Sequence, residues 1–424
     1  MSNVIQVLQE RGLLDALTAE ELRTLTNVPL KVYCGFDPTA DSLHIGNLVA
    51  IVSLAWFQKF GHTPVALIGG ATGMIGDPSG KFNERQLLDE ETIQKNCLGI
   101  RKNLEAILDF NHSKNPAILQ NNYSWYKDFS FIGFLRDIGK YFRVSSMLAK
   151  DSVKLRLQAE EGMSFTEFSY QVLQGYDFLH LMQNHAVNVQ LGGSDQWGNI
   201  TAGTELIRKV TGKTAYGVTF PLLTRSDGQK FGKSEAGAIW LSPEKLSPYE
   251  FYQYFIRTPD ADVIKMMRML TFMDIEEIRN IEKSMQAADY VANTAQKRLA
   301  EEVTRLVHGE EALTKAQKAT LAAAPGSDTI LDAQALEKIA SDIPNCDLPI
   351  QEIVGVKLMD IIVHTQLLAS KGDVRRMMRN GGVYLNNQKI QDENKVVESQ
   401  DLIDGKLFLI SVGKKNKLLV RSKT

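Results

Sequence analysis

Two short segments of the sequence carry side chains that could bind a polyphosphate. The first is residues 37–47, which end in His44-Ile45-Gly46-Asn47 at a predicted junction between a strand and a helix. Ligands bind at the carboxyl ends of strands in open parallel sheets, and the start of a helix attracts phosphate through its N–H groups and dipole. Gly46 has no side chain, so a base or ribose could approach the backbone there. Taken alone, a helix cap by Asp41 or Ser42 beside an exposed histidine is the simpler interpretation.

The second segment is Lys230-Phe231-Gly232-Lys233-Ser234, in the loop after a strand that is predicted to end near Leu223. Two lysines three residues apart, with a flexible glycine between them and a hydroxyl after them, suit a mobile clamp on a polyphosphate. Lysine serves there as a point charge that follows a moving anion. A solvated basic loop is the simpler interpretation of this segment alone, but the two segments together favour a nucleotide site.

A third set of polar side chains shares one face of a predicted helix. Tyr170, Gln174 and Asp177 are spaced by four and three residues, which brings them to the same helix face. Such a face is usually just solvated. In this chain it accompanies Tyr33 at a predicted strand end and Asp77 after a glycine-rich loop.

Alternating strands and helices must position these residues. The patterns predict strands at 31–34, 63–68 and 186–191 and helices at 44–60 and 195–210. Strands that are separated by helices form parallel sheets with right-handed crossovers. From Ser247 to His308 the pattern is helical, and Gly309 is predicted to end that region. A small module begins near residue 348, with two short helices and a hairpin that turns at Asn386-Asn387.

The composition restricts the class of protein. The chain has 424 residues, 44% hydrophobic and 23% charged, which is typical of a folded protein with two or three domains. Its three cysteines form no C-x-x-C pair, so a reducing compartment is expected and a structural zinc site is not. No apolar run approaches the ~20 residues that span a bilayer. The net charge of -2 conceals a split, because residues 351–424 carry 13 Lys and Arg against 8 Asp and Glu.

The two polyphosphate segments resemble the signatures of class I aminoacyl-tRNA synthetases. His44-Ile45-Gly46-Asn47 is similar to their HIGH motif, with asparagine in the fourth position, and Lys230–Ser234 is similar to their KMSKS loop. An asparagine side chain still donates hydrogen bonds to phosphate or ribose oxygens. Along the whole chain, further segments resemble the tyrosyl-tRNA synthetases of the bacterial type, namely Tyr33–Thr39, Gly69–Gly73, Gly76–Ser79, Ser164–Tyr170 and Gly192–Asn199.

The resemblance implies an ATP-dependent ligation of L-tyrosine to tRNA(Tyr) through tyrosyl-adenylate, with release of AMP and pyrophosphate. The tyrosine carboxylate is its own nucleophile. Catalysis would therefore come from positioning and from stabilising the charge of the departing pyrophosphate. The residues to which the resemblance gives this catalytic role are Thr39, His44, Asn47, Lys230, Lys233 and Ser234.

The resemblance also implies the substrate contacts. Tyrosine would be bound through its ammonium group by Asp77, Tyr170 and Gln174, through its phenol by Tyr33 and Asp177, and near its carboxylate by Gln196. ATP would be bound by Asp37, His44, Gly46, Asn47, Gly193, Asp195, Lys230 and Lys233. Lys81 and Arg85 are candidate contacts of pyrophosphate or tRNA. Phenylalanine would leave the buried phenol partners unpaired, which is costly.

The C-terminal module resembles the RNA-binding motif of ribosomal protein S-four. The likeness lies in Ser370–Arg376 and Asn380–Asn386, with Lys371 and Val374 where the motif usually has Arg and Ala. Basic side chains on a short helix and an adjacent strand can neutralise the phosphates of structured RNA. A solvated basic face is the alternative. The RNA contacts predicted on this basis are Lys371, Arg375, Arg376, Arg379, Lys414, Lys415 and Lys417.

The predicted fold is α/β. A Rossmann-like parallel-sheet catalytic domain over residues 1–225 precedes the lysine loop and an α-helical domain over 226–315. A linker over 316–347 then leads to a small α+β RNA-binding domain, like ribosomal protein S-four, over 348–424. The resemblance implies ATP with Mg²⁺ as the substrate complex, no tightly bound metal site in the protein, tRNA(Tyr) as partner, and a homodimer. The expected location is the cytoplasm, with no membrane segment.

Three alternatives compete with this interpretation. A tryptophanyl-tRNA synthetase of the same subclass is opposed by Tyr33 with Asp177 and by the RNA-binding module. A nucleotidylyltransferase shares the histidine motif but needs neither an amine-binding cage nor a basic C-terminal segment. A non-catalytic RNA-binding regulator is opposed by the intact lysine loop.

Overall fold

The computed structural model describes residues 3–79, 88–158, 162–226, 228, 231, 233–234, 237–322, 336, 340, 343–413 and 416–423. For Ser152, Lys233, Ser234 and Ala322 it describes the backbone alone. The chain divides into two compact units. One unit comprises Met1–Ser242 with Asp260–Tyr290, and the other comprises Pro243–Pro259 with Val291–Thr424.

A six-stranded sheet forms the centre of the first unit. Its strands are β1 (Ala16–Leu17), β2 (Lys31–Phe36), β3 (Thr63–Ile68), β4 (Ile118–Asn121), β5 (Val189–Gly193) and β6 (Tyr216–Phe220). They lie in the order β1-β6-β5-β2-β3-β4. All neighbouring pairs are parallel except β1 with β6, which is antiparallel. The predicted parallel sheet is thus confirmed. A two-stranded antiparallel ribbon follows, with β7 (Lys233–Ser234) and β8 (Gly237–Ala238).

Helices connect the strands of this unit and cover the sheet. They are α1 (Val4–Glu10), α2 (Leu22–Leu25), α3 (Ile45–Lys59), α4 (Thr72–Ile75), α5 (Glu90–Glu105), α6 (Tyr123–Tyr126), α7 (Phe131–Asp137), α8 (Val144–Leu148), α9 (Asp151–Leu157), α10 (Phe165–His185) and α11 (Trp197–Thr211). Helix α3 packs on β2, β3 and β5, and α11 packs on β5 and β6. Strands β3 and β5 are almost wholly buried, as expected of parallel strands that helices cover.

Between the ribbon and residue 322, the described residues form further helices. They are α12 (Pro248–Ile256), α13 (Asp260–Leu270), α14 (Ile275–Ser284) and α15 (Thr294–Ala322), of which α13 and α14 belong to the first unit. The predicted start at Ser247 is confirmed, because Ser247 and Glu250 cap α12 reciprocally. Gly309 was predicted to end the helix before it, and its φ of 83° and ψ of 173°, which glycine tolerates, interrupt α15 at that residue. A further helical segment follows this kink and extends to Ala322.

The C-terminal module is a small α+β structure in the second unit. It consists of strands β9 (Asn345–Pro349), β10 (Val383–Leu385), β11 (Gln388–Ile390), β12 (Leu407–Val412) and β13 (Asn416–Lys423) with helices α16 (Leu358–His364) and α17 (Lys371–Arg379). The strand order is β11-β10-β12-β13-β9. Asn386 and Asn387 form the predicted two-residue turn, with φ of 49° and 65°, between the paired residues Leu385 and Gln388. In the described part of the chain, no helix is long and apolar enough to cross a membrane.

Candidate active site

A cleft of about 470 Å³ opens at the carboxyl ends of β2, β3 and β5 in the first unit. This is the edge at which open parallel sheets bind ligands. The cleft is lined by every predicted catalytic or substrate-binding residue whose side chain the structure describes. These are Tyr33, Asp37, Thr39, His44, Gly46, Asn47, Asp77, Tyr170, Gln174, Asp177, Gly193, Asp195 and Gln196.

The side chains of several residues that were predicted to contact a substrate or RNA cannot be located. Lys81, Arg85, Lys230, Lys414 and Lys415 lie outside the described residues. For Lys233 and Ser234 only the backbone is described, and it forms β7 of the two-stranded ribbon. The lysine loop and the two candidate pyrophosphate contacts therefore stay predictions from the sequence.

One part of the cleft holds a buried carboxylate next to a buried phenol. Asp177 is 2% exposed, and its oxygens accept hydrogen bonds from Asn122 Nδ2 at 3.0 Å and Trp125 Nε1 at 2.9 Å. Burial raises the pKa of Asp177 to about 7, although these donors oppose the shift. Burial and the charge of Asp177 raise the pKa of Tyr33, so its hydroxyl stays protonated. Among the described residues that hydroxyl has no hydrogen-bond partner, so a ligand oxygen would satisfy it.

A polar network surrounds the carboxylate of Asp77. Gln196 Nε2 donates to Asp77 Oδ2 at 2.7 Å, and the backbone N–H of Ser79 donates to Oδ1 at 2.9 Å. Asn199 Nδ2 donates to Gln174 Oε1 at 3.0 Å, and Gln174 Nε2 donates to Gln196 Oε1 at 3.2 Å. These bonds fix the orientation of the amides that flank Asp77. The arrangement suits a ligand cation such as an ammonium group.

A second carboxylate, Asp37, lies against the same helix face. Its Oδ2 accepts a hydrogen bond from the hydroxyl of Tyr170 at 2.7 Å, and its Oδ1 accepts one from Thr72 Oγ1 at 2.8 Å. Burial and the charges of Asp37 and Asp77 raise the pKa of Tyr170. Asp37 was predicted as a nucleotide contact. The structure places it in the hydrogen-bond network of Tyr170, beside the predicted ammonium site.

The histidine motif forms the start of α3. His44 is the N-cap residue, and its Nδ1 accepts the N–H of Gly46 at 3.0 Å, while Asn47 Oδ1 accepts the N–H of His44 at 3.1 Å. The cap is therefore His44 and not Ser42, whose hydroxyl donates to the carbonyl of Leu43. Because Nδ1 accepts, the proton of the neutral imidazole lies on Nε2. A Cβ at Gly46 would lie 2.8 Å from His44 Cε1, so only glycine leaves room for this ring.

Some residues of the site were missed in the sequence. Asn122 and Trp125, which hold Asp177, follow the short strand β4, and their signal was an Asn-Asn pair at a strand end. Gln190 lines the cleft and is 3% exposed, and its Oε1 has no partner among the described residues. A glutamine between valine and leucine in a buried strand was the signal for it.

The basic side chains of α17 lie at the surface of the C-terminal module in ion pairs. Lys371 pairs with Asp360 at 2.7 Å and Arg376 with Asp373 at 2.6 Å, and Glu393 pairs with Arg379 at 2.6 Å and with Arg375 at 3.8 Å. These exposed pairs are weak, so RNA phosphates could replace the acids.

Lys417 was predicted as an RNA contact but is not part of this exposed surface. It is 6% exposed, and its Nζ lies 3.5 Å from the carbonyl of Thr320. Burial lowers the pKa of Lys417 to about 8. The reason is its position in β13, where residues 417–420 are all buried.

Comparison with known proteins assigns this fold and cleft to a family. Residues 25–323 match the family model described as tRNA synthetases class I (W and Y), and residues 335–420 match the one described as Tyrosine–tRNA ligase SYY-like C-terminal domain. A tyrosine–tRNA ligase of Protochlamydia amoebophila (strain UWE25) is 67% identical over 421 residues, 99% of each chain. The chain belongs to the tyrosyl-tRNA synthetases.

Two further relatives support the assignment to this family. A chloroplastic/mitochondrial tyrosine–tRNA ligase of Arabidopsis thaliana is 55% identical over 99% of this chain and 83% of its own. The crystal structure of a C-terminally truncated mitochondrial tyrosyl-tRNA synthetase of Aspergillus nidulans superposes with a TM-score of 0.66 and 32% identity, covering 74% of this chain and 92% of that one. Membership of the tyrosyl-tRNA synthetases favours the tyrosine enzyme over the tryptophanyl and nucleotidylyltransferase alternatives.

Proposed function

We propose that this chain ligates L-tyrosine to tRNA(Tyr) at the expense of ATP, through a tyrosyl-adenylate intermediate. The observation that carries the proposal is the cleft itself. It combines a buried phenol and carboxylate with a carboxylate network suited to an ammonium group and with the capped start of α3. An amino acid with a hydroxylated ring matches the first two features, and a nucleotide phosphate matches the third.

The phenol of the substrate would be recognised through hydrogen bonds with Tyr33 and Asp177. The hydroxyl of Tyr33 is protonated and donates, and the carboxylate of Asp177 accepts the substrate hydroxyl. Phenylalanine offers neither partner, so both buried groups would be left without a hydrogen bond. Tryptophan would additionally have to fit a larger ring. Selectivity for tyrosine follows from this pair.

The ammonium group of the substrate would be held by Asp77, Tyr170 and Gln174. Gln196 donates to Asp77 and accepts from Gln174, so it holds both in place beside the substrate carboxylate. The carboxylates of Asp37 and Asp77 provide the negative charge that a cation requires. The α-carboxylate of tyrosine would then point towards the start of α3.

The reaction needs no nucleophile from the chain. An oxygen of the tyrosine carboxylate forms a bond to the α-phosphorus while the bond from that phosphorus to pyrophosphate breaks, and pyrophosphate leaves with the electron pair. A terminal ribose hydroxyl of tRNA then attacks the carbonyl carbon of the adenylate, and AMP leaves. The chain contributes positioning and charge stabilisation, the latter from Thr39, His44, Asn47, Lys230, Lys233 and Ser234.

ATP would occupy the part of the cleft around the start of α3 and the end of β5. His44, Gly46, Asn47, Gly193 and Asp195 line that part. Among the described residues, no group of three or more His, Cys, Asp or Glu side chains could hold a metal ion. Mg²⁺ is proposed as a part of the nucleotide substrate, as the family resemblance implies.

The proposed partners are tRNA(Tyr) and a second copy of the chain. The exposed basic helix α17 supports an RNA contact. The described residues within 131–158 and 162–165 include exposed large apolar side chains that would be covered in a homodimer. Five that are more than half exposed are Phe131, Ile132, Val144, Leu155 and Phe165. A cytoplasmic location stays an expectation from the sequence, since one relative is named chloroplastic/mitochondrial.

The test is exchange of labelled pyrophosphate into ATP by the purified chain. Tyrosine should support the exchange, whereas tryptophan and phenylalanine at the same concentration should not. Equal exchange with tyrosine and tryptophan would contradict the proposed specificity, and no exchange with any amino acid would contradict the proposed chemistry.

A further inference from the structure

The indole that holds Asp177 is itself stacked on a histidine. The rings of Trp125 and His180 have centroids 4.2 Å apart and planes inclined by 19°. Trp125 Nε1 donates to Asp177 Oδ1 at 2.9 Å. Asp177 and His180 are three residues apart on α10, so they are neighbours on one helix face. Trp125 therefore contacts both side chains at once.

The element that carries Trp125 cannot fix the indole alone. Helix α6 (Tyr123–Tyr126) is a single turn, and a turn of this length is not stable without tertiary contacts. Further contacts with α10 hold it besides the bond to Asp177, among them the rings of Tyr126 and Tyr176, whose centroids are 5.7 Å apart. The hydroxyl of Tyr126 donates to the carbonyl of Leu173 at 2.7 Å, and His180 stacks on the indole. Of these contacts, the stack lies nearly parallel to the indole and so restrains the plane of its ring.

The stack joins two uncharged rings. Burial and the nearby His185 lower the pKa of His180, so its imidazole is neutral at neutral pH. The ring centroid of His185 lies 6.4 Å from that of His180, and the two planes are inclined by 44°. His185 is a neighbour of His180 without the stacked geometry, and it provides a matched control.

We infer that His180 is a positioning residue for tyrosine selectivity. By fixing the plane of Trp125, it keeps the indole N–H on Asp177 Oδ1 and so orients the carboxylate that accepts the substrate phenol. This role rests on the proposed function and adds to it a residue that does not touch the substrate. The class of ligand affected is the para-hydroxylated aromatic amino acid.

The experiment compares three variants of the full chain in tyrosine-dependent pyrophosphate exchange. His180→Ala removes the ring, His180→Phe keeps a stacking ring, and His185→Ala is the control. An aromatic contact of this kind is worth a factor of roughly 2 to 10. His180→Ala should therefore raise the KM for tyrosine by about threefold to tenfold. It should leave the KM for ATP unchanged and reduce the preference for tyrosine over phenylalanine. His180→Phe and His185→Ala should both retain the KM of the unchanged chain.

Two results would overturn this inference without contradicting the proposed function. One is an unchanged KM for tyrosine in His180→Ala. The other is an equal rise of the KM values for tyrosine and ATP that His180→Phe does not restore, which would indicate a general structural role. Absence of tyrosine-dependent exchange in the unchanged chain would overturn the proposed function, and with it the role of His180.

Discussion

Asp177 is the residue at which the proposed substrate recognition opposes stability. Burial raises its pKa from 3.8 to about 7. Between about pH 4 and pH 7 the folded protein thus keeps a proton that the unfolded chain releases, and stability falls as the pH rises through this window. At pH 8 the ionised carboxylate costs roughly 4 kcal/mol. In the proposed function the ionised carboxylate accepts the substrate phenol, so recognition requires the form of Asp177 that burial disfavours.

Replacing Asp177 with asparagine should separate these two effects. Asp177→Asn removes the titrating group, so the difference in Tm between pH 5 and pH 8 should shrink. Tyrosine-dependent exchange should fall by roughly a hundredfold, because the phenol loses a charged acceptor. Thermal unfolding at the two pH values measures the first effect, with the exposed Asp128→Asn as control. A pH dependence of Tm equal to that of the unchanged chain would contradict the raised pKa.

The hydroxyl of Tyr33 gives a second prediction at this scale. Tyr33→Phe removes the donor to the substrate phenol, so kcat/KM for tyrosine should fall relative to that for phenylalanine by about tenfold. The ratio is measured by pyrophosphate exchange with each amino acid. Tyr249→Phe, at a buried tyrosine that does not line the cleft, should leave the ratio unchanged. An unchanged ratio in Tyr33→Phe would argue against the assignment of the phenol site.

At the scale of elements, the start of α3 gives the sharpest expectation. Gly46→Ala would place a Cβ 2.8 Å from His44 Cε1 and displace the imidazole from its cap. The kcat of exchange should fall by at least about tenfold, since a lost charge-stabilising donor commonly costs more. Tyrosine binding, measured by equilibrium dialysis, should change little. Gly139→Ala, where a Cβ meets its nearest atom at 3.7 Å, is the control. A normal kcat in Gly46→Ala would contradict the proposed role of His44.

Strand β3 and helix α3 could be predicted from the sequence, whereas strand β4 and helix α6 could not. Strand β3 was predicted with both of its bounds, and α3 to within one residue, because their apolar patterns are long enough to read. Strand β4 and helix α6 have four residues each and show no period. Asn122 and Trp125 were missed for that reason. His44 as a cap was missed because histidine is not among the usual capping residues.

Contacts between residues that are distant in the chain could not be predicted from the sequence either. The chemistry of the cleft could be predicted from residue types that match a family, but the bond from Tyr170 to Asp37 depends on how α10 packs near the end of β2. The same holds for Lys417, whose positive charge suggested an exposed RNA contact. Only the tertiary structure shows that its strand is buried at this point.

At the scale of the whole molecule, the split of charge supports the proposal that catalysis and RNA binding are carried out by different parts of the chain. The C-terminal module has its own apolar core, centred on residues such as Ile362, Val374, Phe408 and Val420. The described residues that line the cleft all belong to the first unit. Adenylate formation is therefore expected to be independent of the module, and binding of tRNA is expected to depend on it.

Deleting residues 348–424 tests this division. The shortened chain should retain pyrophosphate exchange with tyrosine within about twofold and should lose the transfer of tyrosine to tRNA. Pyrophosphate exchange measures adenylate formation, and retention of labelled tyrosyl-tRNA on filters measures transfer to tRNA, both on the same preparation. Circular dichroism checks that the shortened chain is folded. Charging at the rate of the full chain would contradict the proposed RNA role of the module.

The most direct test of the proposed function identifies the amino acid that the full chain attaches to tRNA. The chain is incubated with ATP, Mg²⁺, tRNA(Tyr) and equal concentrations of tyrosine, phenylalanine and tryptophan, and the ester on the tRNA is identified by mass spectrometry. Tyrosine should be the product, because it alone satisfies both Tyr33 and Asp177. A tRNA that carries phenylalanine or tryptophan in comparable amount, or no amino acid at all, would contradict the proposed function.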